Sequence, residues 1–467
     1  MFELKKVNIS GAAVLPIVEG GKGVNISTGV TAGSFALAGA VGTVSGTNAD
    51  YYDASGKYVP YYYDKTWTRL EKFYHLIEYS IAGAVAQTKI AKDIANNSGR
   101  VHLNLLWEAG GTKIILDKVL EKTKGLLNGI TCGAGLPYFL SDIAEKYNVY
   151  YYPIISSARA FKVLWKRSYH KNPNLLGGVV YEDPWLAGGH NGLSNLENPN
   201  KPADPYSRIV QLRTSLNERN LAHIPIFVAG GVWNIKEWEH YIDNPQIGLV
   251  AFQFGTRPLL TKESPISNAW KALLPQLQEG EIILNKFSPT GFYSSAINNS
   301  FLKELAAISK RQMPATRRAA GEFTKEIPSG NGITNLYIRP EDYDQALAYI
   351  KQGFSMLLRT PDKTVVFVTP EKAKQINADQ NACMGCLSRC RFSNWEEGAI
   401  NHSTGILPDP RSFCIQKTLQ DVGHGGNIDN NLLFAGHQAY RFATDPLYKN
   451  GYVPTIAELV DKIKQGL

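Results

Sequence analysis

No stretch of this sequence stays apolar for the roughly 18 residues that a membrane-spanning helix needs. The opening segment, MFELKKVNIS, lacks the apolar core of a secretory signal, so the expected compartment is the cytoplasm. Charge is sparse as well. Only 19% of residues are Asp, Glu, Lys or Arg, and the 49 Lys and Arg against 41 Asp and Glu leave a net +8. No block of five or more basic residues occurs, so this excess gives no footprint for nucleic acid. Cysteine is rarer still, with five in 467 residues, which excludes a disulfide scaffold. Internal repeats and low-complexity tracts are missing too. What the chain has is apolar content, 44%, enough to bury a large core and to exclude a disordered chain.

Up to about residue 260, short apolar, often β-branched runs alternate with helix-length amphipathic stretches. The runs are AAVLPIV (12–18), AVGTVS (40–45), RVHLNLL (100–106), LLNGITC (126–132), VYYYPII (149–155), LGGVVYE (176–182), IPIFVAG (224–230) and GLVAFQF (248–254). Between them the pattern predicts helices at Trp67–Asn97, Thr112–Lys124, Tyr138–Tyr147, Ala158–His170, Tyr206–Arg219 and Lys236–Ile242. Apolar strands separated by helices mean a parallel sheet covered on both faces. Eight of them predict an α/β fold, a (β/α)8 TIM barrel rather than an open sheet. Two polar insertions, Gly46–Lys65 and Leu193–Pro205, follow strands and would therefore sit on the catalytic face, or serve as ordinary surface loops.

Past Thr261 the rhythm changes. Helices are expected at about 264–279 and 300–311. ITNLYI (333–338), a helix near 341–352, TVVFVT (364–369) and a helix near 370–377 predict a small β-α-β-α unit. A C-terminal helix is expected at Ile456–Gln465. The domain plan is therefore a barrel over 1–262, a smaller α+β domain over 263–380, and a Cys-rich segment with a C-terminal return onto the barrel over 381–467.

Glycines fall where the strands end: GGKG (20–23) after the first, AGGHNG (187–192) after the sixth, AGG (229–231) after the seventh and FGTR (254–257) after the eighth. Each pair alone fits a tight turn. A bound phosphate also needs bare backbone N–H groups and a chain that can approach closely. Loops after strands seven and eight are where such barrels bind phosphate.

LPIVEGGKGVNIST, VHLNLL, AGGHNG, PIFVAGGVWN, FQFGTRPLLTKES and, less closely, SPTGFYSSAINNSFL (288–302) resemble the nitronate monooxygenase (2-nitropropane dioxygenase) family of FMN barrels, with flavin-type enoyl-ACP reductases as relatives. This likeness spans about residues 12–302. It implies FMN, with the phosphate on Gly230, Gly231, Gly255 and Thr256. It also places Asn104, Gly188, Gly189 and Gln253 beside the flavin, with Gly21, Lys22 and Gly23 from the first loop. There are departures. Lys22 stands where the family usually has Met, and Glu182 and Asp183 stand where it usually has Gln. A cation and an added carboxylate near the ring would shift its potential in opposite directions.

His190 is the catalytic candidate. An imidazole titrates near neutrality, so it can remove the acidic α-proton of a nitroalkane or hold the resulting nitronate. The resemblance implies that it is the base; the other reading is a histidine that only hydrogen-bonds within its loop. His424 and His437, in glycine-rich C-terminal stretches, read as structural.

Four cysteines crowd into one segment. Cys383, Cys386 and Cys390 form C-x2-C-x3-C, and Cys414 follows after 23 residues. In a reducing compartment such spacing reads as a metal site. A 4Fe-4S cluster, a structural zinc and unliganded thiols compete. Iron is favoured because the array resembles that of another group of FMN barrels, the 2,4-dienoyl-CoA reductase and trimethylamine dehydrogenase type, although the last spacing is longer here. Cys132 reads as a small core residue.

The expected function is an FMN-dependent oxidoreductase that oxidises nitronates or nitroalkanes with dioxygen. The alternative is an FMN-dependent enoyl thioester reductase, fed by NAD(P)H or through the cluster. A third reading keeps FMN as a structural group in a binding component. The expected partner is a small-molecule substrate, with no nucleic acid and no membrane, and the assembly a homodimer.

Overall fold

The computed structural model describes residues 4–133, 135–330 and 335–467. Eight parallel strands close into a barrel: β1 (Ile17–Glu19), β2 (Val41–Ser45), β3 (Arg100–Leu106), β4 (Gly129–Gly133), β5 (Tyr150–Ile155), β6 (Val179–Glu182), β7 (Ile226–Ala229) and β8 (Val250–Phe254). Neighbours in sequence are neighbours in the sheet, and Phe252 opposite Ile17 closes the ring. Every residue of β2, β4 and β7 is buried, as expected of strands covered on both faces. The chain is a (β/α)8 barrel.

Six helices follow in order around it: α1 (Gly29–Leu37), α2 (Arg69–Ala95), α3 (Thr112–Lys122), α4 (Leu140–Tyr147), α5 (Ala158–Arg167) and α6 (Pro205–Asn217). The long α2 starts with a capping box between Thr68 and Glu71 and stops at Asn96, whose φ of 45° turns the chain out of the helix. After β7 the predicted helix is instead a 3-10 turn, Ile235–Tyr241. The C-terminal helix, Ile456–Lys464, packs against α1, so the chain's last element returns to the barrel wall. Arg257, just past β8, secures this return: buried, it pairs with Asp445 at 3.0 Å and donates to the backbone oxygens of Trp233 and Leu467.

AAVLPIV, expected as one strand, is two. Ala12–Val14 pairs with Val7–Ile9 in a hairpin, and only Ile17–Glu19 enters the barrel. The hairpin's Ile9 and Val14 pack against Val18, Tyr152, Val180 and Phe227, plugging the barrel at the end where its strands begin.

Residues after 261 form several small sheets. Gly189–His190 pairs antiparallel with Ser294–Ile297, which pairs with Ile282–Asn285. The two strands expected in a β-α-β-α unit belong to different sheets: Asn335–Ile338 pairs with Lys325–Pro328, and Thr364–Val368 lies between Gln312–Pro314 and Met356–Arg359. Ile333 and Thr334, the start of the expected ITNLYI strand, lie outside the described residues. Among the described residues no helix is long and apolar enough to cross a membrane.

Candidate active site at the mouth of the barrel

The strands' C-terminal ends surround one cavity, and every residue that the resemblance set beside FMN lines it. Gly21, Lys22 and Gly23 come from the loop after β1, and Asn104 from β3. Glu182, Gly188, Gly189 and His190 follow β6, Gly230 and Gly231 follow β7, and Gln253, Gly255 and Thr256 end β8. Gly230 and Gly231 have φ of +86° and +79°, a backbone that L side chains avoid. A Cβ on Gly231 would meet Leu186 at 2.7 Å, and one on Gly21 would meet the Asn104 side chain at 2.2 Å. A Cβ on Gly255 would instead enter open space. The loops after β7 and β8 thus present a bare backbone concavity, the form an anion such as a phosphate monoester requires.

His190 is held by its two-residue strand, opposite Ser294. Its Nε2 lies 2.6 Å from the Ser288 hydroxyl, and its ring meets Phe434 edge-on at 5.2 Å. Burial lowers its pKa to about 4, so the imidazole is neutral at pH 7. Segment 288–302 is therefore the physical partner of AGGHNG, supplying both the hydroxyl and the strand.

The two charges expected beside the ring are both cancelled. Lys22 Nζ donates to Glu19 Oε1 at 2.6 Å, and both side chains are almost wholly buried. Glu19 also accepts from the Thr43 amide at 3.1 Å. Burial, and to a lesser extent Asp183, lifts the Glu182 carboxyl to about 8, so it is mostly neutral at pH 7. Asp183 points away into its own turn, accepting from the amides of Trp185 and Leu186.

Residues 6–361 match the family model for nitronate monooxygenase. The chain belongs to the nitronate monooxygenase family. It is accordingly an oxidoreductase, and such barrels are in general FMN-dependent. No curated protein matches the sequence. Among solved structures, FabK from Thermotoga maritima superposes with a TM-score of 0.50 at 11% identity, covering 97% of this chain and 92% of that one. The enoyl reductase domain of MlnA from Bacillus amyloliquefaciens gives 0.48 at 12% identity, over 97% and 93%. Nitroalkane oxidase from Streptomyces ansochromogenes gives 0.43 at 15% identity, over 62% and 78%. At 11% identity the FabK superposition shows the fold alone.

The nitronate monooxygenase barrel here is roofed by a C-terminal segment that sequence reading left structural. Phe434, Ala435, Gly436 and Gln438 line the cavity. The Gly436 amide donates to Thr256 Oγ1 at 2.9 Å, and the His437 amide to the Leu186 carbonyl at 3.1 Å. The one local hint was AGH beside apolar residues. Of the two polar insertions, the first contributes Thr47 and Asn48 to the cavity, and its Tyr58 stacks on His424, which pairs with Asp50 at 3.2 Å. The described residues of the second do not line it.

The cysteine segment lies on the same mouth. Cys386 lines the cavity with Leu387 and Gln416. Its carbonyl accepts from the Gly110 amide at 3.0 Å, which ties it to the loop after β3. Cys383 and Cys390 are buried, and Cys414 is half-buried. Among the described residues no group of three or more His, Cys, Asp and Glu side chains is drawn together to hold a single metal ion. Cys132 is buried in β4.

Proposed function

We propose that this nitronate monooxygenase family member oxidises nitronates, and nitroalkanes after deprotonation, with FMN as its cofactor and His190 as its base. The observation that carries the reading is a neutral, half-buried imidazole, held by Ser288, on the wall of a glycine-lined cavity. Gly230, Gly231, Gly255 and Thr256 would hold the FMN phosphate, and Asn104, Gly188 and Gln253 would lie along the ring system. The group supplies, when bound, an acceptor for two electrons that dioxygen can take up in turn.

The protein's own part is proton handling and charge exclusion. Neutral at working pH, His190 has a free lone pair for the α-proton of a nitroalkane. Its low proton affinity rises once an anionic nitronate forms alongside, because opposite charges stabilise each other at low dielectric. The Ser288 hydroxyl fixes the ring by its bond to Nε2. With Lys22 paired to Glu19 and Glu182 protonated, the wall carries little net charge against which an anionic substrate would be sorted.

The test is His190→Ala assayed on both forms of one substrate. Loss of a general base costs about 10²–10⁴-fold, and the loss should be larger for neutral nitroalkane than for preformed nitronate. Equal activity on both forms, at the wild-type level, would reduce His190 to a loop residue. Steady anaerobic turnover of an enoyl thioester with NAD(P)H, and none of nitronate, would replace the substrate class altogether.

A further inference from the structure

Proton transfer at His190 uses none of the four clustered cysteines, which lie beyond the residues matched to the family. They are arranged nonetheless. Cys386 lies within electrostatic reach of Cys383, Cys390 and Cys414, and Cys414 within reach of Cys383 and Cys390. Donors are aimed at the sulfurs: the Gln416 amide at Cys386, the Phe392 and Ser393 amides at Cys390, and the Lys417 amide at Cys414. The Ser393 hydroxyl donates to Cys383 Sγ at 2.9 Å. A thiol in a core has little use for such donors; a metal-bound thiolate is stabilised by them.

The turn that sets the first spacing is also built. Gly385, between Cys383 and Cys386, has φ +72°, and a Cβ there would strike the Trp395 ring at 2.7 Å and Phe73 of α2 at 2.9 Å. The segment stands between two cavities. Cys386 opens on the barrel mouth, whereas Cys414 opens on an outer pocket with Lys372, Asp379 and Lys417.

We propose that Cys383, Cys386, Cys390 and Cys414 bind an iron–sulfur cluster that serves as a one-electron port between the barrel cavity and the outside. A single zinc ion needs its sulfurs about 3.8 Å apart, given bonds of about 2.3 Å in a tetrahedron, and a four-iron centre spreads them further. Zinc would carry no electrons between the two cavities. The direction of flow, though not the site, rests on the proposed nitronate oxidation. Where dioxygen is absent, water adds its oxygen to the nitronate carbon as the C–N bond breaks. The products are a carbonyl compound, nitrite, two protons and two electrons. The cluster passes the electrons singly to two molecules of a one-electron carrier protein.

The full chain, purified without oxygen, should contain about four irons and about four acid-labile sulfides, and should give a paramagnetic signal on dithionite reduction. Cys386→Ser and Cys414→Ser should each lose iron and signal, and Cys132→Ser should keep both. Anaerobic nitronate turnover should reduce cytochrome c, too large to enter the cavity, and Cys386→Ser should slow this by about tenfold or more, as loss of an electron route implies. One zinc per chain, or no metal with all four thiols alkylated in the native protein, overturns the site. Neither result depends on how a variant folds. Iron and sulfide without nitronate turnover would leave the site standing and remove the substrate; turnover without iron would do the reverse.

Discussion

The barrel holds two histidines at opposite ends, His190 half-buried and His102 wholly buried, and they differ in what lies beyond the ring. His190 at the mouth and His102 on β3 both place Nε2 against a serine hydroxyl, at 2.6 Å from Ser288 and 2.9 Å from Ser10. Burial depresses both, to about 4 and about 3. His102, however, stacks on Tyr152 at 4.7 Å beneath the N-terminal hairpin, and Ser10 also lies 2.7 Å from the Tyr152 hydroxyl. His190 lines a cavity. A shifted pKa and a hydroxyl partner therefore do not distinguish catalysis from packing; access does. The two ends should fail differently when changed.

The largest effect belongs to the mouth. Gly231→Asp would put a carboxylate where the bare turn faces the cavity, against Leu186, and would repel an anion held there. Asp tolerates a positive φ better than most residues, so the fold should survive. The protein should purify colourless with an unchanged circular dichroism spectrum. Normal flavin content would remove the phosphate site from the β7 and β8 loops.

Next is the closed end. His102→Ala would leave a cavity and cost Ser10 a partner, about 2–4 kcal/mol by the usual range for buried side chains. It should lower the urea midpoint while flavin content and turnover at 25 °C stay near wild type. The pH dependence has a definite sign. Below the ordinary histidine value of 6.5 the unfolded chain takes a proton that folded His102 refuses until about 3. Stability therefore falls as pH drops through that window, by up to about 1.4 kcal/mol per pH unit for each such group. His190 adds its share down to about 4 and burial depresses His437 as well, so His102→Gln should make the acid slope shallower rather than abolish it. Loss of flavin with intact stability in the alanine variant would erase the distinction between the two ends.

Much of the mouth was legible because its signals are local. A glycine pair at the end of an apolar run marks a strand end and a bare loop together, and four of them in order mark a barrel rim. His190 stood out for the same reason. The rest depends on contacts between distant residues. Gly436 meets Thr256 across 180 positions, and the short AGH around it is too slight a signal to announce that contact. Glu19 pairs with Lys22 three residues on, but a strand followed by a loop has no periodicity from which to read that pairing. Gln312–Pro314 and Met356–Arg359 are short, lack β-branched residues, and are strands only because Thr364–Val368 lies between them. The cysteine triplet was visible in its spacing, whereas its place beside the cavity came from the Cys386 contact with the loop after β3.

The smallest effect tests the chemistry of the mouth most finely. Glu182 lines the cavity just ahead of the AGGH loop, and burial lifts its carboxyl to about 8. At pH 7 only about a tenth of the molecules carry the charge, so the group behaves as a neutral, amide-like neighbour. Folding retains its proton up to about 8, whereas the unfolded chain releases it near the ordinary 4.5. Glu182 therefore costs stability increasingly as pH rises through that window and costs no more above it. Glu182→Gln should match wild type in turnover at pH 7 and be the more stable protein at pH 9. Above pH 8 the wild-type carboxylate would repel an anionic nitronate, raising KM several-fold, and the variant's KM should stay level. Parallel KM profiles for the two proteins between pH 6 and 9 would mean that Glu182 faces away from the substrate's charge.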